Sequence, residues 1–255
     1  VQEVLARGPL ALDQIEEVIE LLAWDAVAPS AIQSLSQVAS SKLDPLLTHL
    51  LDPDEDFAIR RRLVNVLAFC RTAPAFEGLL RALDDRRFEV RYRAGRALSR
   101  MAPEIPGLQV DREWVLSVVE REIAVGRGVW ESRQLIDVLE DEASPMETEL
   151  LRDRANRSLE HLFVLLSLIL PRDTLRLAFH GLYTGDTYLR GTALEYLETV
   201  LPESIWLKLW PLLEQGESQP VRSRSSGQAL KQLLESKQSI ALALAQAREA
   251  VKSKK

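Results

Sequence analysis

The feature that most constrains this chain is a register that returns three times. The stretch Gly78 to Met101, GLLRALDDRRFEVRYRAGRALSRM, reads as a helix, a turn carrying two aspartates, and a second helix. In the second helix Val90, Ala94, Ala97, Leu98 and Met101 fall within about one third of the circumference at roughly 100° per residue, so that face must be buried. The same set recurs as Ile59, Leu63, Val66, Leu67 and Cys70, and more loosely as Leu189, Ala193, Tyr196, Leu197 and Val200. An arginine follows the first apolar residue in each copy, at Arg60, Arg91 and Arg190, and an acid precedes it, at Asp54, Asp85 and Asp186. Large and small residues alternate on these faces, which lets neighbouring helices approach without voids. A hairpin of this kind cannot conceal its apolar stripe alone, and stacking against its neighbours conceals it.

The central copy, D-x-x-x-x-V-R-x-x-A-x-x-A-L, resembles the HEAT repeat family at Asp85, Val90, Arg91, Ala94, Ala97 and Leu98. The Asp54 copy matches at Ile59, Arg60 and Leu67, with Leu63 where the family prefers Ala, and in the Asp186 copy the acid stands two residues closer to the helix. The resemblance implies an all-α fold, a right-handed α-solenoid of about six antiparallel helix pairs. It also implies that Arg60, Arg91 and Arg190 pair with turn carboxylates of neighbouring repeats, Asp54 and Asp85 among them, as a structural ladder. Over 159–213 the chain is further similar to the soluble helical-repeat region that follows the membrane part of some bacterial ATP/ADP-translocase-like proteins. That similarity rests on Leu159 to His161, Pro171-Arg172, Leu189 to Tyr196 and Leu201-Pro202. It implies a cytosolic appendage and carries no transport activity.

The chain of 255 residues reads as one helical-repeat domain over 1–255. Within it, N-terminal repeats occupy 10–102, and central and late repeats with a long buried helix occupy 111–214. A loop follows over 215–226, then capping helices and a basic tail over 227–255. Periodicity and punctuation predict helices over Leu10 to Trp24 with Asp13 or the preceding turn as cap, Ser30 to Val38 with Ser30 as cap, and Lys42 to Leu51 with Asp44 as cap before Pro45. Others are predicted over Phe57 to Arg71 and, after Asp111, from Trp114 to Val125. Gly126-Arg127-Gly128 predicts a break or bend, with helix resuming over Val129 to Leu139. Pro145 to Leu170 is the longest, with Ser144 and Glu147 as a capping box, and Thr174 to Leu182, Tyr188 to Val200 and Ser204 to Leu213 follow. Pro103 to Pro106 is a short loop. The longest apolar run, Leu162 to Leu170, is about half of the ~20 residues that a membrane span needs. The chain begins at Val1 with no charged-then-apolar leader, so a piece of a longer cytoplasmic protein is expected, tethered to a membrane only through a domain preceding Val1.

Chemistry-bearing motifs are scarce. One cysteine, Cys70, rules out an intrachain disulfide framework, and its place on an apolar face makes it a buried, inert thiol. His49, His161 and His180 sit in unrelated contexts without a second ligand at helical spacing, so no metal site and no cofactor are expected. Gly126-Arg127-Gly128 lacks the preceding strand and the Lys-Ser/Thr of a phosphate loop. The acids Glu140-Asp141-Glu142 read as a solvated loop. No catalytic constellation emerges, and the chain is expected not to be an enzyme.

Charge placement is more informative than its total. A net charge of −6 argues against general nucleic-acid binding. Residues 58–101, however, hold eleven arginines against four acids, a local +7 that leaves −13 for the rest. With Val90 at zero, Arg93, Arg96 and Arg100 lie at about 300°, 240° and 280°, apart from Arg91 at about 100°. Arg62 holds the position of Arg93 one copy earlier, so Arg62, Arg93, Arg96 and Arg100 form a stripe. The plain reading is that these arginines meet neighbouring acids and solvent. The functional reading is a strip for an acidic peptide, a nucleotide or a phosphorylated partner, because guanidinium offers a fixed donor fork to such groups. The leading expectation is a scaffold that binds another protein or another part of its own polypeptide. A nucleic-acid-binding repeat protein and a HEAT-like lyase subunit are the alternatives.

Overall fold

The computed structural model describes residues 14–138, 145–184 and 186–213, by backbone alone over 127–138 and 145–153. All regular structure among them is helical, and the chain divides into two compact units, residues 1–111 and 112–255. The Leu10–Asp13 start of the first helix, the Glu140–Glu142 loop, Ser144, and everything expected over 215–255 lie outside the described residues, as does the side chain of Glu147.

Unit 1 is built from helices α1 (Gln14–Glu20), α2 (Ala28–Val38), α3 (Leu43–Leu51), α4 (Phe57–Leu67), α5 (Ala73–Arg81) and α6 (Phe88–Met101). Each starts for a local reason where a cap is present. Asp56 Oδ1 accepts from the amides of Ala58 at 2.7 Å and Ile59 at 3.4 Å, and Thr72 Oγ1 accepts from Ala75 at 3.4 Å ahead of Pro74. These bonds satisfy amides that have no partner within the helix. The helices pair as α1/α2, α3/α4 and α5/α6, and the pairs stack so that α1, α3 and α5 form one layer and α2, α4 and α6 the other. The seam between the layers is the predicted one. Ile59, Leu63, Val66, Leu67 and Cys70 on α4 and the turn after it, and Val90, Ala94, Ala97, Leu98 and Met101 on α6, are all buried. Each large side chain there contributes roughly 1.5–3 kcal/mol by leaving water.

Unit 2 holds α7 (Arg112–Val138), α8 (Pro145–Leu166), α9 (Arg172–Leu182), α10 (Thr187–Val200) and α11 (Glu203–Leu213). The long helices α7 and α8 pair with each other, α9 pairs with α10, and α8 packs on α9. Helix α11 then returns to α7, where Lys208 meets Glu120. Length accounts for the difference from unit 1. Helices of 27 and 22 residues run for roughly 40 and 33 Å, whereas the 11-residue α9 and α11 span roughly 16 Å, so equal rungs cannot form and short helices lie along long ones. The described residues therefore supply three stacked pairs in unit 1 and a different pairing scheme in unit 2. In α10, Ala193, Tyr196 and Leu197 are buried as expected, while Leu189 and Val200 are only half covered.

Several boundaries differ from expectation. Helix α7 runs unbroken through Gly126, Arg127 and Gly128. Glycine costs about 1 kcal/mol in a helix without removing an amide, and the buried stripe Val115, Val118, Val119 and Ile123 just upstream outweighs it. Helix α8 stops at Leu166, four residues before the expected end, and Leu168, Ile169 and Leu170 leave by tight turns. Helix α2 begins at Ala28, so Pro29 is inside the first turn and Ser30 is not the cap. Likewise α3 begins at Leu43, with Asp44 inside the first turn instead of at the cap. Part of the Pro103–Pro106 loop is a 3-10 turn over Ala102–Glu104, and the chain then reverses at Gly107, whose φ of 72° suits only a residue without Cβ.

Helices α9 and α10 meet where Gly181 faces α10. A Cβ placed on Gly181 would lie 3.1 Å from the Leu189 carbonyl oxygen and 3.2 Å from the Ala193 Cβ. Gly181→Leu is therefore expected to destabilise the protein by about 1–3 kcal/mol, read as a lowered denaturation midpoint, because backbone on the facing helix must move. An unchanged midpoint would mean that the two helices are not in close contact.

Candidate functional site

The three arginines of the repeat register all occupy the fourth position of their helices, and all reach back to main-chain carbonyls that precede them. Arg60 Nε donates to the Leu50 carbonyl at 3.1 Å, Arg91 Nη1 to those of Asp85 and Arg86 at 2.9 and 3.2 Å, and Arg190 Nη1 to that of Leu182 at 2.8 Å. Leu50 and Leu182 belong to the last turns of α3 and α9, whose carbonyls lack partners within the helix and carry its negative pole. A guanidinium is well suited to that place, since its several donors satisfy more than one carbonyl at once. Arg190 does so, donating also to the Leu213 carbonyl at the end of α11.

Arg60 joins this role to a side-chain ion pair across repeats. Its second arm meets Asp85, with 6% and 1% of the two side chains exposed, and Asp85 Oδ1 also accepts the Arg87 amide at 2.7 Å. Asp54, expected in the same ladder, is exposed, and its amide donates to Asp52 Oδ1 at 2.9 Å. The reason lies one pair earlier, where α2, APSAIQSLSQV, carries no arginine or lysine that could meet Asp54. Asp186 caps α10 instead, accepting from the Tyr188 and Leu189 amides at 2.9 and 3.2 Å. Its counterpart is therefore Asp56, which sequence spacing passed over in favour of Asp54.

The proposed stripe is brought together only in part. Arg62 turns to the preceding pair, where it donates to the Leu22 carbonyl and pairs with Asp25. With 12% of its side chain exposed, it is part of the packing. Arg93, Arg96 and Arg100 do share the outer face of α6. Arg93 pairs with Glu89 at 2.7 Å one turn back, and Arg96 lies over the Tyr92 ring at 5.7 Å with Nη1 donating to the Tyr92 hydroxyl at 3.3 Å. Arg100 is exposed and makes no ion pair among the described residues. In the turn after α4 stands Phe69, 66% exposed, which sequence reading missed. Its signal was available: Phe69 occupies the position of Arg100 one copy earlier, outside the buried set.

A second polar cluster lies in the other layer. His49 of α3 is held between two carboxylates, Nδ1 facing Glu55 and Nε2 facing Glu16 of α1 at 2.6 Å. Burial by itself lowers the imidazole pKa, but hydrogen bonds and charge from Glu55 and Glu16 together outweigh it and the net direction is up. A pKa raised on folding adds stability that is full below the unfolded value near 6.5 and fades as pH rises through the folded value. We expect stability in urea to fall between pH 6 and pH 8.5 by up to about 1 kcal/mol more in the wild type than in His49→Gln, because Glu16 is well exposed. Parallel pH profiles for the two proteins would remove the clasp from the account.

In unit 2, His161 is fully buried, its Nε2 3.9 Å from Oε1 of Glu122, itself buried on α7. His180 is exposed near the end of α9. Cys70 is buried, and burial raises its pKa more than a hydrogen bond with Ser40 lowers it, so the thiol stays protonated at neutral pH. None of the described helices is long and apolar enough to cross a membrane. Compared with protein families, with curated proteins and with solved structures, the chain matches none of them.

Proposed function

We propose that this chain is a non-catalytic, HEAT-like helical-repeat module that binds another protein or another part of its own polypeptide. On this reading its pairs continue a right-handed α-solenoid and it works in the cytoplasm, in keeping with the resemblance of 159–213 to the appendage of translocase-like proteins. One observation carries the reading. Arg60, Arg62, Arg91 and Arg190 are taken up within the fold, whereas Arg93, Arg96 and Arg100 lie along one flank of α6, with Arg96 and Arg100 exposed. Like charges spaced one turn apart on a helix repel by a few tenths of a kcal/mol, so their placement favours a use outside the fold. Stacked repeats present extended faces suited to such a use.

The test is capture of proteins from a cell extract on the immobilised chain, with Arg93→Glu/Arg96→Glu/Arg100→Glu as the control. A specific set of proteins retained by the wild type, lost by the triple variant and released by moderate salt is the expected result. The same set retained by both would remove the arginines, and the proposal, from consideration.

A further inference from the structure

We infer that the outward face of α11 is the docking surface for the chain's own segment 239–251, which lies along it and covers this end of unit 2. Leu207, Trp210 and Pro211 form the surface, and Ile240, Leu244, Ala247 and Val251 fill it. The inference involves none of the α6 arginines, so it stands or falls apart from the function proposed above.

Helix α11 is apolar on two sides, and its packing among the described residues uses one of them. Ile205, Trp206, Leu209 and Leu213 turn inward and are buried where α11 meets α7 and α10. On the other side Leu207 is 63% exposed, Pro211 is exposed and Trp210 is half-buried. These three follow at steps of three and four residues, so they share one face. The Trp210 ring lies 5.1 Å from that of Trp206, which makes the outer row continuous with the core beneath it. Both flanks of the helix are fixed, since Lys208 meets Glu120 of α7 and Arg190 of α10 holds the Leu213 carbonyl. One exposed apolar residue is ordinary. A Leu-Trp-Pro row on a helix fastened in this way is a surface that gains by being covered.

The occupant follows from what comes next in the chain. Forty-two residues follow Leu213, so they leave from the end of α11 itself. The loop expected over 215–226 reaches about 40 Å when extended, well beyond the roughly 16 Å of α11, and the segment after it can return along the helix. Read at helical spacing, Ile240, Leu244, Ala247 and Val251 fall within about 60° and extend for about 17 Å, which matches the length of α11. Charge agrees. Residues 239–255 hold four basic side chains against one acid, whereas 112–213 hold eleven against seventeen. Tethering also gives the segment an effective concentration on the order of millimolar, which a free partner or a second copy would have to exceed.

The test uses the full chain carrying Leu207→Cys and the rate at which a maleimide labels it. Cys70, the native thiol, is buried and contributes little. Adding Leu244→Asp is expected to raise the rate at least fivefold, whereas Leu242→Asp, about 160° away around the same helical wheel, leaves it unchanged. Hydrogen exchange of the 203–213 amides, with Leu207 intact, is expected to quicken in Leu244→Asp and not in Leu242→Asp, with circular dichroism unchanged in both. Equal labelling with and without Leu244→Asp, equal acceleration by the two aspartates, or equal exchange overturns the inference. So does protection that disappears on dilution, which would make the cover a second copy of the chain.

Discussion

Arg60→Ala is expected to lower the stability of the protein by about 3–5 kcal/mol, a large share of what a domain of this size has to lose. The size follows from what is left behind. Removing the guanidinium strands the Asp85 carboxylate, of which 1% is exposed, and withdraws the donor from the Leu50 carbonyl at the end of α3. Asp85→Ala is expected to cost a similar amount, since it strands the arginine and frees the Arg87 amide. The double variant Arg60→Met/Asp85→Leu should cost well under the sum, because it removes both buried charges. Urea denaturation followed by far-ultraviolet circular dichroism measures all three. A loss under 1 kcal/mol for Arg60→Ala would show that the pair is hydrated in solution and does not tie the repeats together.

The second large effect contrasts two phenylalanines seven residues apart. Phe76 of α5 is 1% exposed, and Phe76→Ala should cost about 3–5 kcal/mol through lost transfer free energy and the cavity left behind. Phe69→Ala, at 66% exposed, should stay within about 0.5 kcal/mol of the wild type. The same denaturation measurement reads both. A substantial loss at Phe69 would mean that its ring is covered and is not available to a partner.

How much of this was legible in the sequence depends on the scale of the question. The buried faces of α4 and α6 came through residue by residue, because a helix that buries one stripe must repeat its apolar positions at the helical period. Ends were less legible. Ser30 and Asp44 looked like caps by type, yet α2 and α3 start two and one residues earlier, with no side chain accepting from their first amides. Gly126 and Gly128 looked like a break, and in a long paired helix they are not one, because tertiary packing overrides a propensity of about 1 kcal/mol. In the candidate site, angle alone placed Arg62 with Arg93. A helical wheel gives the direction of a side chain but not what waits there, and for Arg62 that is the Leu22 carbonyl and Asp25, some forty residues earlier in the chain. The exposed Phe69 escaped notice because attention to periodicity favours the residues that obey it.

The arginine at the fourth position of each second helix has a bearing on how such a chain tolerates rearrangement. Arg190 ties its helix to the end of the one just before it, and Arg91 closes onto the turn between its own two helices. Each of those two contacts lies inside one hairpin and goes with it when the hairpin is copied or moved. The α3/α4 pair has a buried charge partner next door as well, because Arg60 is married to Asp85 in the following hairpin. Excising or transplanting either of those two pairs alone would leave half of a buried couple behind, which makes that junction the least divisible point in unit 1.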